Sequence, residues 1–174
     1  MTDPMPALVH VMAELVRPRP GHRLIFTYDE LMNPDRISVL CPEPRFVTTA
    51  RYLSRQFTIN SDGVATARPQ RGHVVHGVVW EVSEIEVAAL DLAMGVPSLN
   101  DRFGAFARGA GEELVTTEFY ASRNMRSLGT AKPSYLNVIL DAARHWQFPE
   151  SYLDEVAAWS EPDRRSAASQ RGAR

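Results

Sequence analysis

The chain of 174 residues carries a single cysteine, Cys41. One thiol cannot close an intramolecular disulfide, and no metal-ligand spacing surrounds it, so it reads as an inert, partly buried group. No apolar run approaches the roughly 20 residues of a helical membrane span, so no membrane partner is expected. The opening residues, MTDPMPALVHVMAELVRPRP, lack the basic n-region of a secretory signal and lead to no clean cleavage site. A cytoplasmic location is the default expectation. Strong charge of either sign is also missing: the formal net charge is −2, too little to draw the chain to nucleic acid. There is no G-x-S-x-G and no Walker pattern. His73 and His76 stand three apart on an expected strand, hence on opposite faces, and His145 has no partner one helical turn on. No metal and no cofactor are expected.

What is present is a globular balance, 44% hydrophobic and 23% charged, which excludes a wholly disordered chain. The length fits one domain with tails. Residues 1–21 read as an N-terminal extension. Its helical stripe (Leu8, Val11, Met12, Leu15) is stopped by Pro18 and Pro20. Residues 22–160 form the domain. Residues 161–174 are small, polar and Arg-bearing, and read as a disordered tail.

Within the domain, 23–28 (RLIFTY) is a strand that gives way to a loop over 29–35. Strands follow at 45–52 and 56–60, separated by a polar turn, then a short one at 64–67 that ends at Pro69. The strongest, 73–82 (HVVHGVVWEV), is rich in β-branched residues. Ser83 and Glu86 form a capping box. They open a helix whose apolar stripe is Ile85, Ala88, Ala89, Leu92 and Met94. Gly104, Gly109 and Gly111 mark a flexible connection, and 114–120 is a further strand. Pro133 starts a helix that buries Leu136, Ile139, Leu140 and Ala143, and Pro149 stands at the start of a last one. Strands in succession, one central helix and closing helices imply an α+β fold with a curled or barrel-like mixed sheet.

Phe26-Thr27-Tyr28-Asp29-Glu30-Leu31-Met32-Asn33 is similar to a "FAYGSNLN" opening. Pro34-Asp35-Arg36, Cys41-Pro42 and Arg45-Phe46-Val47 follow, then Gly77-Val78-Val79-Trp80-Glu81-Val82 on a later strand. Leu90-Asp91 through Met94-Gly95-Val96-Pro97 resembles "LDxxEGVPSGYYR". In this order these segments resemble the γ-glutamylcyclotransferase-like (AIG2-like) family. The resemblance covers roughly 22–158 and implies that family's fold: a mixed, barrel-like sheet with flanking helices. It also implies a reaction in which the α-amine of a γ-glutamyl group attacks its own γ-carbonyl, closing 5-oxoproline and releasing an amine. One carboxylate would handle the proton.

Two departures bear on that reaction. Met94 stands where the family has its catalytic Glu, and a thioether takes no proton at neutral pH. Asp29-Glu30-Leu31 replaces Gly-Ser-Asn, which removes a glycine's close backbone approach and adds negative charge where the family receives a substrate carboxylate. The position usually held by Tyr is Asp101. The candidates for proton transfer are therefore Glu30, then Asp101 and Asp29; two carboxyls that approach closely would raise one pKa. Phe26, Thr27, Tyr28, Leu31, Met94 and Tyr120 are the candidate substrate-binding residues. Three functional readings stand. The first is an enzyme with a remodelled pocket, acting by acid/base chemistry on a small amino-acid-derived or amide-bearing molecule. The second is a non-catalytic relative that binds a ligand or protein. The third is a retained cyclotransferase using a substitute carboxylate. A small-molecule ligand is the expected partner, nucleic acid and membrane are not, and a homo-oligomer is left open.

Overall fold

The computed structural model describes residues 14–160. In chain order they form β1 (Leu15–Val16), β2 (His22–Thr27), a 3-10 turn (Glu30–Met32), α1 (Pro34–Leu40), β3 (Arg45–Ile59), β4 (Ala65–Ser83), α2 (Glu84–Ala93), β5 (Asn100–Gly109), β6 (Leu114–Ser122), α3 (Pro133–His145) and α4 (Glu150–Ala157). The strand order is β1-β6-β2-β4-β3-β5, and β5 pairs back onto β6. Strands β2 to β6 thus close on themselves, and β1 lies parallel to the start of β6. The expected α+β class with a mixed, barrel-like sheet and flanking helices is observed. Closure leaves few backbone groups on open sheet edges.

Aromatic rings pack against one another in the core. Tyr52 sits between Phe26 and Phe119, with ring centroids 4.3 and 4.8 Å away. Its hydroxyl is hydrogen-bonded to Thr117 Oγ1. Gly77 on β4 permits this packing: a Cβ there would stand 2.3 Å from the Thr27 carbonyl oxygen and 2.4 Å from the Phe26 ring. A second cluster docks the closing helices, with Trp146 stacked on Phe46 at 4.7 Å and its indole N–H donating to the Met32 carbonyl at 2.8 Å.

The structure departs from the sequence reading in several places. The two strands expected over 45–60 are one strand, β3, which absorbs the polar turn as an irregularity at Ser54 (φ 58°). Likewise 64–67 and 73–82 are one strand, β4, with Pro69 paired opposite Arg55 at that same irregularity. Long hairpin pairing overrides the local breaker signals. The supposed loop 29–35 holds the 3-10 turn and the start of α1. Gly104 and Gly109 belong to β5, because β6 supplies its ladder. Leu15, assigned to a helical stripe, is in β1; Leu8, Val11 and Met12, like the tail 161–174, lie outside the described residues. The capping box of α2 forms as expected, yet the helix buries Val87 and Leu90 and leaves Ile85 and Leu92 exposed. The expected stripe was rotated because Val87 belongs to the same face as Leu90, three residues on. Helix α3 buries Leu136, Ile139, Leu140 and Ala143 as expected.

Glu81 on β4 is the main charge in the interior, with a fully buried side chain. Its carboxylate accepts from the Arg19 backbone N–H (3.0 Å), Arg19 Nε (2.6 Å) and Arg45 Nε (2.9 Å). It therefore ties the segment before β2 to the start of β3. Burial disfavours its ionisation, but these donors overcome that cost and hold its pKa at about 2. Cys41 is fully buried, and desolvation pushes its thiol up to about 12. Glu81→Gln is expected to cost about 2 kcal/mol at pH 7, a buried-pair loss discounted for two half-exposed arginines. The folded pKa lies below the ordinary 4.5, so this contribution is present above about pH 4.5 and fades as pH falls toward 2. Urea unfolding of both proteins at pH 7 and pH 2.5 checks it: the gap between them must shrink on acidification.

Candidate active site

A cavity of about 360 Å³ opens where β2, α2 and β6 end and β5 begins. It is lined by Asp29, Glu30, Leu31, Leu40, Asp62, Val64, Ala93, Met94, Leu99, Asn100, Ser122 and Tyr135. A second cavity of similar size, about 340 Å³ beside Phe106, contains none of the motif residues.

The chain leaves β2 at Thr27 and turns at once. Asp29 caps the 3-10 turn, its Oδ1 accepting from the Leu31 N–H at 2.9 Å. Asn33 caps α1 in the same way, accepting from the N–H groups of Asp35 (2.8 Å) and Arg36 (3.4 Å), with Pro34 in the first turn. These two caps fold the loop back and bury Leu31 and Met32. On the facing side, α2 ends in a Schellman arrangement. The Val96 N–H donates to the Asp91 carbonyl and the Gly95 N–H to the Leu92 carbonyl, with Gly95 at φ 65°. Met94 is the C-cap, and Asn100 Nδ2 donates to its carbonyl at 2.6 Å.

Asn100 lies opposite Ser122 in the β5–β6 ladder. Ser122 Oγ accepts from Asn60 Nδ2 (2.9 Å) and the Asn124 N–H (3.0 Å). Asn60 also organises the turn after β3, accepting from the N–H groups of Asp62 (3.0 Å) and Val64 (3.1 Å). Asp62 thereby reaches the cavity wall, where its carboxylate accepts from Asn124 Nδ2 at 3.0 Å. Tyr135, in the first turn of α3, completes the wall and accepts from the Ala65 N–H at 3.3 Å.

Of the residues singled out from sequence, the fold brings Asp29, Glu30, Leu31 and Met94 to one cavity. The others are not among its lining residues. Phe26 is a core ring. Thr27 is buried, donating to the Val78 carbonyl and accepting from the Trp80 indole N–H. The Tyr28 hydroxyl donates to the Tyr120 carbonyl at 2.6 Å. The Tyr120 hydroxyl donates to Asp91 at 2.7 Å, clamping α2 onto β6. Asp101 follows Asn100 on β5, so it points to the other face and pairs with Arg123 at 3.8 Å. Sequence reasoning missed Asp62, Asn100, Ser122 and Tyr135. The Asn60-Ser61-Asp62-Gly63 turn signal was legible; the register that brings Asn100 to Ser122 was not.

Asp29 is the titratable group that stands out. Desolvation raises its pKa from the ordinary 3.8 to about 6, the Leu31 hydrogen bond opposes the rise, and Glu30 adds to it. Tyr135 is raised as well, by burial first and then by Asp29. No metal-binding cluster of His, Cys, Asp or Glu occurs among the described residues, and no helix among them is long and apolar enough to cross a membrane.

The model of the gamma-glutamyl cyclotransferase, AIG2-like family matches residues 25–136, and the chain belongs to that family. Its fold is similar to that of a solved gamma-glutamyl cyclotransferase, at 24% identity and TM-score 0.74 over 82% of this chain and 90% of the other. An uncharacterized protein from Homo sapiens, loc79017, is similar at 23% identity and TM-score 0.74, again over 82% and 90%. An AIG2-like protein from Mus musculus is similar at 20% identity and TM-score 0.54, over 67% of this chain and 83% of that one. These are likenesses of fold. No curated protein matches the chain significantly.

A glutamate introduced at position 94 would enter a cavity that already holds Asp29, Glu30 and Asp62. Met94→Glu is expected to lower stability by about 1–3 kcal/mol at pH 8, as an added like charge in a partly dry site. The loss should fall well below that at pH 5, where carboxyls take up protons. Thermal unfolding at both pH values checks it.

Proposed function

We propose that this chain is an enzyme with an altered pocket that acts by acid/base chemistry on a small amino-acid-derived or amide-bearing molecule, with Asp29 as the proton-transfer group. The carrying observation is the Asp29 carboxyl, with its pKa raised to about 6, on the wall of the cavity that also holds Met94. Amide cleavage by an attacking amine requires one proton to leave the nucleophile and one to reach the departing nitrogen. A single carboxyl near neutrality takes the first as carboxylate and returns it as acid. Family membership and a kept cavity support this reading; the substrate identity follows from neither. Glu30 shares the wall and ranks behind Asp29. Asp101 ranks last, since it is paired with Arg123 away from the cavity.

A specific observation favours the non-catalytic alternative. Asp29 already has a structural task, accepting the Leu31 N–H as a cap. Asp29→Asn separates the two readings, because an amide oxygen keeps that hydrogen bond. The enzyme reading expects a loss of about 10²–10⁴ in kcat on amino-acid amides. It also expects kcat/KM of the unsubstituted chain to rise with pH through about 6, as the base ionises. Unchanged turnover in the variant, or no turnover by either protein, removes it. The same substitution reads out burial. The folded pKa of Asp29 lies above its unfolded value, so its ionisation costs stability as pH rises from about 4 through 6. Asp29→Asn is therefore expected to raise the melting temperature at pH 8 and leave it nearly unchanged at pH 4.

A further inference from the structure

Ser122 is 7% exposed and lines the cavity, and its hydroxyl has a fixed direction. A hydroxyl oxygen has two acceptor positions and one proton. Both acceptor positions are taken, by Asn60 Nδ2 and the Asn124 N–H. No group among the described residues accepts the Ser122 proton. Asn60 is itself buried and committed, with its carbonyl oxygen holding the turn over 60–64. The Ser122 backbone is pinned as well, its N–H donating to Thr66 Oγ1 at 3.1 Å. The O–H is thus a donor without an acceptor among the described residues, on a side chain that lines the cavity.

The charge of the wall supplies the second constraint. Asp29, Glu30 and Asp62 all line it, and no Arg, Lys or His among the described residues does. Lys132 lies in an adjoining depression, beyond Asp62 and Tyr135. A ligand carboxylate inside would meet three carboxyls and no cation, whereas an ammonium group would be attracted. The rest of the wall, Leu31, Leu40, Val64, Ala93, Met94 and Leu99, suits a short aliphatic chain. The volume of about 360 Å³ is in the range of small-molecule sites.

Resting on the acid/base reading of the same cavity, we propose that its ligand is an ammonium-bearing carbonyl compound with no free carboxylate, and that Ser122 is the specificity-determining donor to the carbonyl oxygen. An amide or ester of an amino acid has that chemistry. In the reaction, the Ser122 O–H would be aimed where a carbonyl oxygen gains negative charge.

The test is binding, which needs no turnover. Calorimetric titration compares three probes of one chain length: 4-aminobutyramide, n-butylamine and 4-aminobutyrate. The amide is expected to bind about tenfold more tightly than butylamine, the value of one well-placed hydrogen bond. The aminobutyrate should bind more weakly than either. In Ser122→Ala the amide should lose its advantage while butylamine keeps its affinity, a pattern that general loosening of the cavity would not produce. Equal weakening of both probes in the variant overturns the role of Ser122. Aminobutyrate binding as tightly as the amide, or none of the three binding, overturns the ligand class. Failure of the acid/base reading would appear separately, as binding that is retained while Asp29→Asn leaves turnover unchanged.

Discussion

The β5–β6 pairing is the constraint on which the rest of this molecule depends. It closes the sheet, and its last rung sets Asn100 opposite Ser122. From that rung the cavity is built in both directions. Asn100 reaches back to the carbonyl of Met94 and fixes the end of α2. Ser122 accepts from Asn60 and fixes the turn that carries Asp62 and Val64. A slip of one residue in either strand would turn that strand's member of the pair to the other face. The cavity is thus an outcome of strand register as much as of the loops that rim it.

A second, distant constraint holds the other end. Glu81 gathers the Arg19 backbone and two guanidinium groups around one buried carboxylate. An unpaired carboxylate there would be costly, so the pairs are retained or the region loosens. Arg19 lies in the stretch read from sequence as an appendage. Together with β1 alongside β6, it joins the described part of that stretch to the barrel.

How much was legible depended on whether the signal was local. The capping box at Ser83 and Glu86 and the face of α3 are set by neighbours in sequence, and both were readable. The family's two motifs were also local, and they put Asp29, Glu30, Leu31 and Met94 on the page before any fold. The long β3–β4 hairpin was read as four pieces, because turn residues such as Ser54 and Pro69 were absorbed by pairing across the ladder. The surroundings of Tyr120 and Asp101 were hidden by the same limit. Their motif positions were visible, but their partners Asp91 and Arg123 depend on how α2 and β6 pack. The Asn33-Pro34 start of α1 was a local signal that went unread.

Positions 29 and 94, one from each motif, share the wall of one cavity. Position 94 carries a thioether at the helix end, and position 29 a carboxyl at the strand end. A carboxyl at 94 would approach a ligand from the C-terminal end of α2, where the helix dipole adds negative potential. At 29 it approaches from the strand end, held by its own cap bond to Leu31. A proton acceptor moved across a cavity cannot serve a ligand in an unchanged pose, because proton transfer demands contact within hydrogen-bond reach. The side chain at 29 also fills space that a glycine would leave open to a ligand's polar groups. A ligand served by Asp29 must therefore present its amine to the strand end of the cavity and not to the end of α2.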